Sequence, residues 1–133
     1  MIRILARYRW LTSIFLLILV DICTFSAFQQ TTTTRMIPSQ DKVLHFLAFF
    51  VLFLVGHLAL RFDFFRKTNR HIFLLGFNWL IWLAYGALLE VGQSFLSYRQ
   101  AEMSDFLSDV MGMVLGTVVV LLSKPIKPDS GAS

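Results

Sequence analysis

Four long apolar runs alternate with short polar stretches along the chain. They cover residues 10–28, 43–60, 72–89 and 106–122. Each approaches the ~20 residues that a helix needs to cross the hydrocarbon core of a bilayer. Helices are required there because lipid cannot satisfy the hydrogen bonds of an irregular backbone. The pattern therefore predicts an all-α fold, an integral membrane bundle of four transmembrane helices.

Composition strengthens this prediction. Of the 133 residues, 56% are hydrophobic and only 15% are charged, whereas a soluble domain is nearer ~25% charged. A small globule has too much surface to hide so many apolar side chains. We predict one membrane domain over residues 1–124, a disordered cytoplasmic tail over 125–133, and no cofactor. The net charge of +4 does not indicate nucleic-acid binding, because the basic residues flank the apolar runs instead of forming a stripe.

The distribution of Lys and Arg predicts the orientation. Nine of the twelve lie in the N-terminal segment, the second loop and the C-terminal tail, and three lie in the other two loops. The positive-inside rule then places both termini and the 61–71 loop in the cytoplasm. We interpret the first run as a retained helix, because its apolar core exceeds the ~7–15 residues usual for a signal peptide.

With this topology the polar side chains of three helices gather at the outer end. They are Asp41, Lys42, His45, Glu90, Gln93, Asp105 and Asp109. Asp21 would lie about 10 Å deep in the first helix and could bond to another helix. Charges on packed helix faces are costly and usually indicate partners or function.

Helical periodicity groups these residues further. Asp41 and His45 fall on one face of the second helix. Asp105 and Asp109 share a face of the fourth helix with the glycines of a G-x-x-x-G pair, which lets another helix approach closely. A simpler interpretation is that Asp41 only caps its helix and pairs with Lys42. His57 and Asn78, in mid-helix, are interpreted as interhelical hydrogen-bonding residues.

Two stretches together resemble a known family. DKVLHFLAFFVL and YGALLEVGQSFLSYRQAEMSDFLSDVMGMVLG are similar to the VanZ-like family of small bacterial membrane proteins, across residues 38–122. The matching residues are Asp41, Lys42, His45, Tyr85, Gly86, Glu90, Gln93, Arg99, Glu102, Asp105, Gly112 and Gly116. Asp109 departs from the pattern, since many members have Asn there. The resemblance implies a multi-pass protein of the bacterial cytoplasmic membrane, linked to the cell envelope and to resistance to the glycopeptide antibiotic teicoplanin.

The favoured function is binding at the outer interface. The ligand would be a lipid headgroup, a cell-wall precursor or a lipophilic glycopeptide, and Lys42 and Arg99 would contact an anionic group on it. The predicted binding residues are Asp41, Lys42, His45, Glu90, Gln93, Arg99, Asp105 and Asp109. Membrane lipids are the expected partners.

Other functions stay open. In an interfacial transferase or hydrolase acting on a lipid-linked substrate, His45 would be a base oriented by Asp41, and Glu90, Asp105 or Asp109 would be the acid. Acids and one imidazole also suit a divalent metal, but spacing across separate helices cannot test that geometry and no metal site is assigned. A transporter is disfavoured, because four helices are few for a carrier.

Overall fold

A computed structural model describes residues 8, 10–29, 40–65, 67, 70–98 and 102–123, which are almost entirely helical. The helices are α1 (Leu11–Phe28), α2 (Gln40–Ala59), α3 (His71–Ser94) and α4 (Met103–Leu122), and α2 continues directly into a π-helical turn, Leu60–Phe64. All four are long and apolar enough to cross a membrane. The prediction of an all-α bundle of four membrane helices is confirmed, and the chain is a multi-pass membrane protein.

The helices extend beyond the apolar runs at their polar ends. Helix α2 begins at Gln40, α3 continues to Ser94, and α4 begins at Met103, each a few residues outside the run that predicted it. Helical hydrogen bonding does not depend on hydropathy, so polar residues at the membrane boundary continue the helix. The predicted 61–71 loop is likewise too long at both ends, because Arg61 still belongs to the π-helical turn and His71 begins α3.

Helices α2 and α4 approach each other most closely at the two glycines of the G-x-x-x-G pair. A Cβ atom on Gly112 would overlap the carbonyl oxygen of Phe46, and one on Gly116 would lie 2.7 Å from Cδ1 of Phe53. The predicted close approach at these glycines is therefore confirmed. The apolar core lies beside this contact and consists of Phe49, Leu52, Phe53, Trp82, Leu89 and Met113.

Asn78 supplies a hydrogen-bonded link inside the core. Its Nδ2 donates to the carbonyl oxygen of Phe53 on α2 at 2.9 Å, and its Oδ1 accepts from Nε1 of Trp82 at 2.9 Å. The prediction that Asn78 bonds between helices is confirmed. The same prediction for His57 is not met, since its buried Nδ1 has no hydrogen-bond partner within the described part of the chain.

Helix α1 lies at the edge of the bundle, and Thr12 is its one buried residue. Polar contacts hold both of its ends. At its start, the backbone N–H groups of Trp10 and Ser13 donate to the carboxylate of Asp63 at 3.2 and 2.9 Å, and the Ser13 hydroxyl donates at 2.6 Å. Asp63 belongs to the π-helical turn and is almost completely buried.

The far end of α1 is held by residues at and beyond the end of α3. Gln93 Nε2 donates to the Ala27 carbonyl at 2.9 Å, and the Tyr98 hydroxyl donates to the Phe28 carbonyl at 2.7 Å. These bonds satisfy carbonyls that a helix C-terminus leaves without an intrahelical partner.

Several residues behind the orientation prediction lie outside the described part of the chain. They are Arg3, Arg7, Arg9, Arg35, Arg66, Arg99, Lys124 and Lys127, and the tail predicted over 125–133 lies outside it as well. The cytoplasmic placement of both termini therefore stays a prediction.

Candidate functional site

Three helices bring ionisable side chains together at one end of the bundle. Helices α2 and α4 begin at the end where α3 finishes. His45 comes from the second turn of α2, Glu90 from the last turns of α3, and Asp105 and Asp109 from the start of α4. We call these four residues the His45 cluster.

His45 lies between two carboxylates of α4. Its Nδ1 is 2.8 Å from Oδ1 of Asp109, and its Nε2 is 3.7 Å from Oδ2 of Asp105. The His45 side chain is 12% exposed, and those of Asp105 and Asp109 are 8% and 2% exposed. An ionised carboxylate can only accept, so with Asp109 ionised the Nδ1–H of the ring donates to it, and Nε2 is the ring nitrogen that faces Asp105.

Glu90 completes the His45 cluster from α3. One ligand atom each from His45, Glu90 and Asp105 lies within 4.8 Å of the other two. Three electron-pair donors from three different helices therefore surround a space the size of a small cation or a cationic group.

Two aspartate oxygens in the His45 cluster lack a hydrogen-bond donor among the described residues. Oδ1 of Asp105 and Oδ2 of Asp109 are buried and accept no hydrogen bond from the described residues. Gly86 of α3 leaves room beside the second of these, because a Cβ atom there would lie 3.3 Å from Oδ2 of Asp109. Buried carboxylate oxygens are costly without compensation, so this arrangement favours a positively charged or hydrogen-bond-donating occupant.

The carboxylate predicted to orient His45 is the wrong one. Asp41 and His45 do share a face, but they are one turn apart on α2, and the hydrogen-bonded partner of the imidazole is Asp109. The close contact of α4 with α2 brings that residue within reach. Asp41 is a half-buried residue of the first turn of α2.

Lys42 and Gln93 lie apart from the cluster. Lys42 Nζ is 3.3 Å from Oε2 of Glu102, and the two side chains are 39% and 50% exposed, so Lys42 forms an ion pair at the rim. The Gln93 amide is committed to α1 through Ala27. Arg99, the second predicted anion-binding residue, lies outside the described residues.

Asp21 is not part of the outer polar group. Its side chain is exposed on α1, and no hydrogen bond from it to another helix occurs in the described ranges. Its place on the edge helix explains this, because the face of α1 that meets the bundle carries Thr24 instead, whose hydroxyl is 2.9 Å from that of Tyr85.

Sequence reasoning missed Asp63, which was counted only as part of a loop. One acid in a stretch with four basic residues gives no signal of its own, and its role depends on a contact 50 residues away. It also missed a mostly apolar cavity of about 450 Å³ at the opposite end of the bundle, whose polar lining includes His57, Arg61 and His71.

The comparisons with known proteins give one distant relative. An uncharacterized protein of the fission yeast Schizosaccharomyces pombe is 30% identical over 108 residues, which cover 80% of this chain and 62% of the yeast protein. The chain thus spans less than two thirds of that relative's length. No family model matches the chain, and no solved structure matches it.

These findings contradict the VanZ-like assignment. The relative is eukaryotic, and the absence of a family match leaves the bacterial membrane, the cell envelope and teicoplanin resistance without support. The residues behind the resemblance have local explanations in this fold. His45 pairs with Asp109, Gln93 holds α1, and Gly112 admits the backbone of α2.

Proposed function

We propose that this multi-pass membrane protein binds the polar headgroup of a membrane lipid or lipid-linked molecule at the His45 cluster. The observation that carries the proposal is the pair of buried carboxylate oxygens, on Asp105 and Asp109, that no described residue satisfies. An occupant with a positive charge or several donors would satisfy them.

The position of the cluster supports a lipid over a small soluble molecule. It lies at the ends of spans long enough to cross the bilayer, which is the depth of lipid headgroups. Large apolar side chains on all three helices are exposed beside it, so acyl chains can lie along the bundle while the headgroup enters. They are Val43, Leu44, Leu47, Leu88, Val91, Leu107 and Met111.

The local charge specifies the headgroup chemistry. Lys42 is paired with Glu102 at the rim, and the described side chains closest to His45 are acidic. An occupant that brings a cationic group, such as an ammonium, or that arrives together with a cation would suit these acids. This revises the expectation of a bare anionic group held by Lys42.

Native mass spectrometry of the full chain, released from nanodiscs containing phosphatidylethanolamine and phosphatidylcholine, tests the proposal. We expect a retained lipid on the wild type, and loss of most of it in Asp105→Asn and in His45→Ala. Glu102→Gln is the matched control, because it removes an acid at the same end but outside the cluster. Equal retention in all four proteins would refute the proposal.

A second function, catalysis on a lipid-linked substrate, is favoured by one specific contact. The 2.8 Å bond from Asp109 to Nδ1 of His45 orients the imidazole as in a general base whose Nε2 faces the substrate. Incubating the protein with a total lipid extract and following the lipid profile by mass spectrometry tests this. We expect a change with wild type and none with His45→Gln; no change with wild type would remove the catalytic hypothesis.

A further inference from the structure

We infer that the His45 cluster is a divalent-metal site, with His45, Glu90 and Asp105 as ligands and Asp109 as the residue that positions the imidazole. This inference rests on the proposed function, because it names the cation that a headgroup meets in the cluster. It also assigns different roles to the two acids of α4.

The distances suit a single ion. The ligand atoms of the three residues lie within 4.8 Å of one another, and His45 Nε2 is 3.7 Å from Asp105 Oδ2. Two donors bound at ~2.1 Å to a tetrahedral Zn²⁺ lie about 3.4 Å apart. The separation of His45 and Asp105 is thus already close to that of two donors on one ion, and the whole set spans no more than 4.8 Å.

Asp109 has the contact expected of a residue behind a metal ligand. Metal-binding histidines almost always donate their other ring N–H to a carboxylate or carbonyl, which fixes the tautomer. Here Asp109 Oδ1 lies 2.8 Å from Nδ1 of His45. In the neutral imidazole the lone pair is then on Nε2, the ring nitrogen that faces Asp105 at 3.7 Å.

A second, independent observation is the burial of carboxylate oxygens without donors. Asp105 is 6% exposed and Asp109 is 1% exposed, yet Oδ1 of the first and Oδ2 of the second have no partner among the described residues. A divalent ion would compensate both acids, one by direct coordination and one through the imidazole.

The donor set indicates the class of metal and of ligand. One imidazole and two carboxylates suit Zn²⁺ or Mn²⁺, whereas Ca²⁺ takes six to eight oxygen ligands. Three protein ligands also leave a coordination position open. A phosphate oxygen of a lipid headgroup fits that position, so the substrate class becomes a phosphate-bearing lipid bound through the metal.

Isothermal titration of the chelator-stripped, full-length protein in detergent tests the inference. Zn²⁺ and Mn²⁺ are the probes, Mg²⁺ is the comparison, and native mass spectrometry gives the stoichiometry. We expect one Zn²⁺ per chain, with the affinity lowered at least about tenfold in His45→Ala, Glu90→Gln and Asp105→Asn. Asp109→Ala, which removes only the positioning contact, should lower the Zn²⁺ affinity roughly 10–100-fold.

The control is Glu102→Gln, which should bind Zn²⁺ like the wild type. Glu90→Gln and Asp105→Asn keep the shape of the side chain, so they test the ligands even if His45→Ala fails to fold. Absence of stoichiometric Zn²⁺, or equal affinity in these two variants and the wild type, would overturn the inference.

A parallel arm separates the metal from the lipid. Phosphatidylethanolamine retention is measured with Zn²⁺ and with chelator, and we expect retention only with Zn²⁺. Retention in both conditions without Zn²⁺ binding would overturn the metal site and leave the proposed function standing. Zn²⁺ binding without lipid retention would leave the metal site standing and overturn the proposed function.

Discussion

Asn78 shows how a single polar side chain organises the middle of this bundle. It is fully buried, and its amide joins the α2 backbone at Phe53 to the indole of Trp82. The indole N–H would otherwise be unsatisfied in an apolar interior. Gly56 makes this possible, because a Cβ atom there would lie 2.6 Å from Nε1 of Trp82 and 2.9 Å from Oδ1 of Asn78.

Replacement of Asn78 by Leu should therefore destabilise the protein. It leaves Nε1 of Trp82 buried without its acceptor, and an unpaired buried group costs about 1–3 kcal/mol. Thermal unfolding in detergent measures the loss. Leu80→Ala is the control, because Leu80 is 64% exposed on the same helix; an equal loss in both variants would contradict this account.

Each polar residue on a helix face could be recognised from the sequence, but its partner could not. The predicted topology placed His45 and Asp105 at the same end, and the mid-helix position of Asn78 suggested an interhelical bond. Helical periodicity indicated the wrong carboxylate for His45, because it treats each helix separately. The orienting acid comes from α4, 64 residues away, and only the packing of two helices selects it.

At the scale of the elements, contact between α2 and α4 depends on the absence of side chains at two positions. The α2 backbone near Phe46 and Phe50 occupies the space where Gly112 would carry a Cβ atom. The same contact brings Asp109, one turn earlier on α4, to His45. The geometry of the His45 cluster therefore depends on the packing of this helix pair.

Gly112→Ala should accordingly disturb both the packing of α2 against α4 and the geometry of the His45 cluster. The new methyl group meets backbone, which cannot rotate away, and overpacking of this kind costs about 1–3 kcal/mol. We expect a lower unfolding temperature and weaker Zn²⁺ binding. Gly76→Ala is the matched control, since nothing lies within 4 Å of its Cβ position; it should be neutral, and similar effects of the two changes would contradict the close-contact explanation.

The π-helical turn after α2 provides a second contact between elements. It places Asp63 where its carboxylate accepts three hydrogen bonds from the first turn of α1. Helix starts leave N–H groups without partners, and a carboxylate there is also favoured by the helix dipole. The cap thus comes from another helix, which no local capping pattern could reveal.

Asp63→Ala should release the start of α1 and lower the free energy of unfolding by about 1–2 kcal/mol. Hydrogen exchange at residues 11–14 should become faster, whereas Asp63→Asn, which keeps one acceptor oxygen, should show a smaller change. Asp21→Asn, an exposed acid on α1 itself, should leave that exchange unaltered. Unchanged protection in Asp63→Ala would exclude the capping role.

At the scale of the whole molecule, the two ends of the bundle differ in charge. The His45 cluster makes one end acidic, while His57, Arg61 and His71 line the cavity at the other. The positive-inside rule predicts that the basic end faces the cytoplasm.

Cysteine labelling tests this orientation directly. The chain has one cysteine, Cys23, so Cys23→Ser gives a clean background. Two exposed serines at opposite ends of the bundle offer a matched pair of Ser→Cys changes, Ser97 shortly after α3 and Ser123 just after α4. In sealed membrane vesicles whose cytoplasmic face is outward, a membrane-impermeant maleimide should label position 123, and position 97 only after permeabilisation. The reverse pattern would invert the topology.

Hydropathy was sufficient to predict the fold class, because a bilayer imposes the length and apolarity of each span. Element ends were less predictable, since α2 and α3 continue through polar residues such as Asp41 and Gln93. The family resemblance failed although it rested on many positions. Those positions carry requirements common to polar clusters between helices, namely paired charges, an amide to bind a carbonyl, and small residues for close approach.

The contacts of α1 have a consequence for how the protein is made. Membrane helices are inserted in chain order, so α1 enters the bilayer before any residue that later holds it has been synthesised. Asp63 reaches its first turn only when α2 is complete, and Gln93 and Tyr98 reach its last turn only after α3. We therefore expect α1 to cross the bilayer at first as an independent span. It would then bind to the bundle at its start, and afterwards at its end.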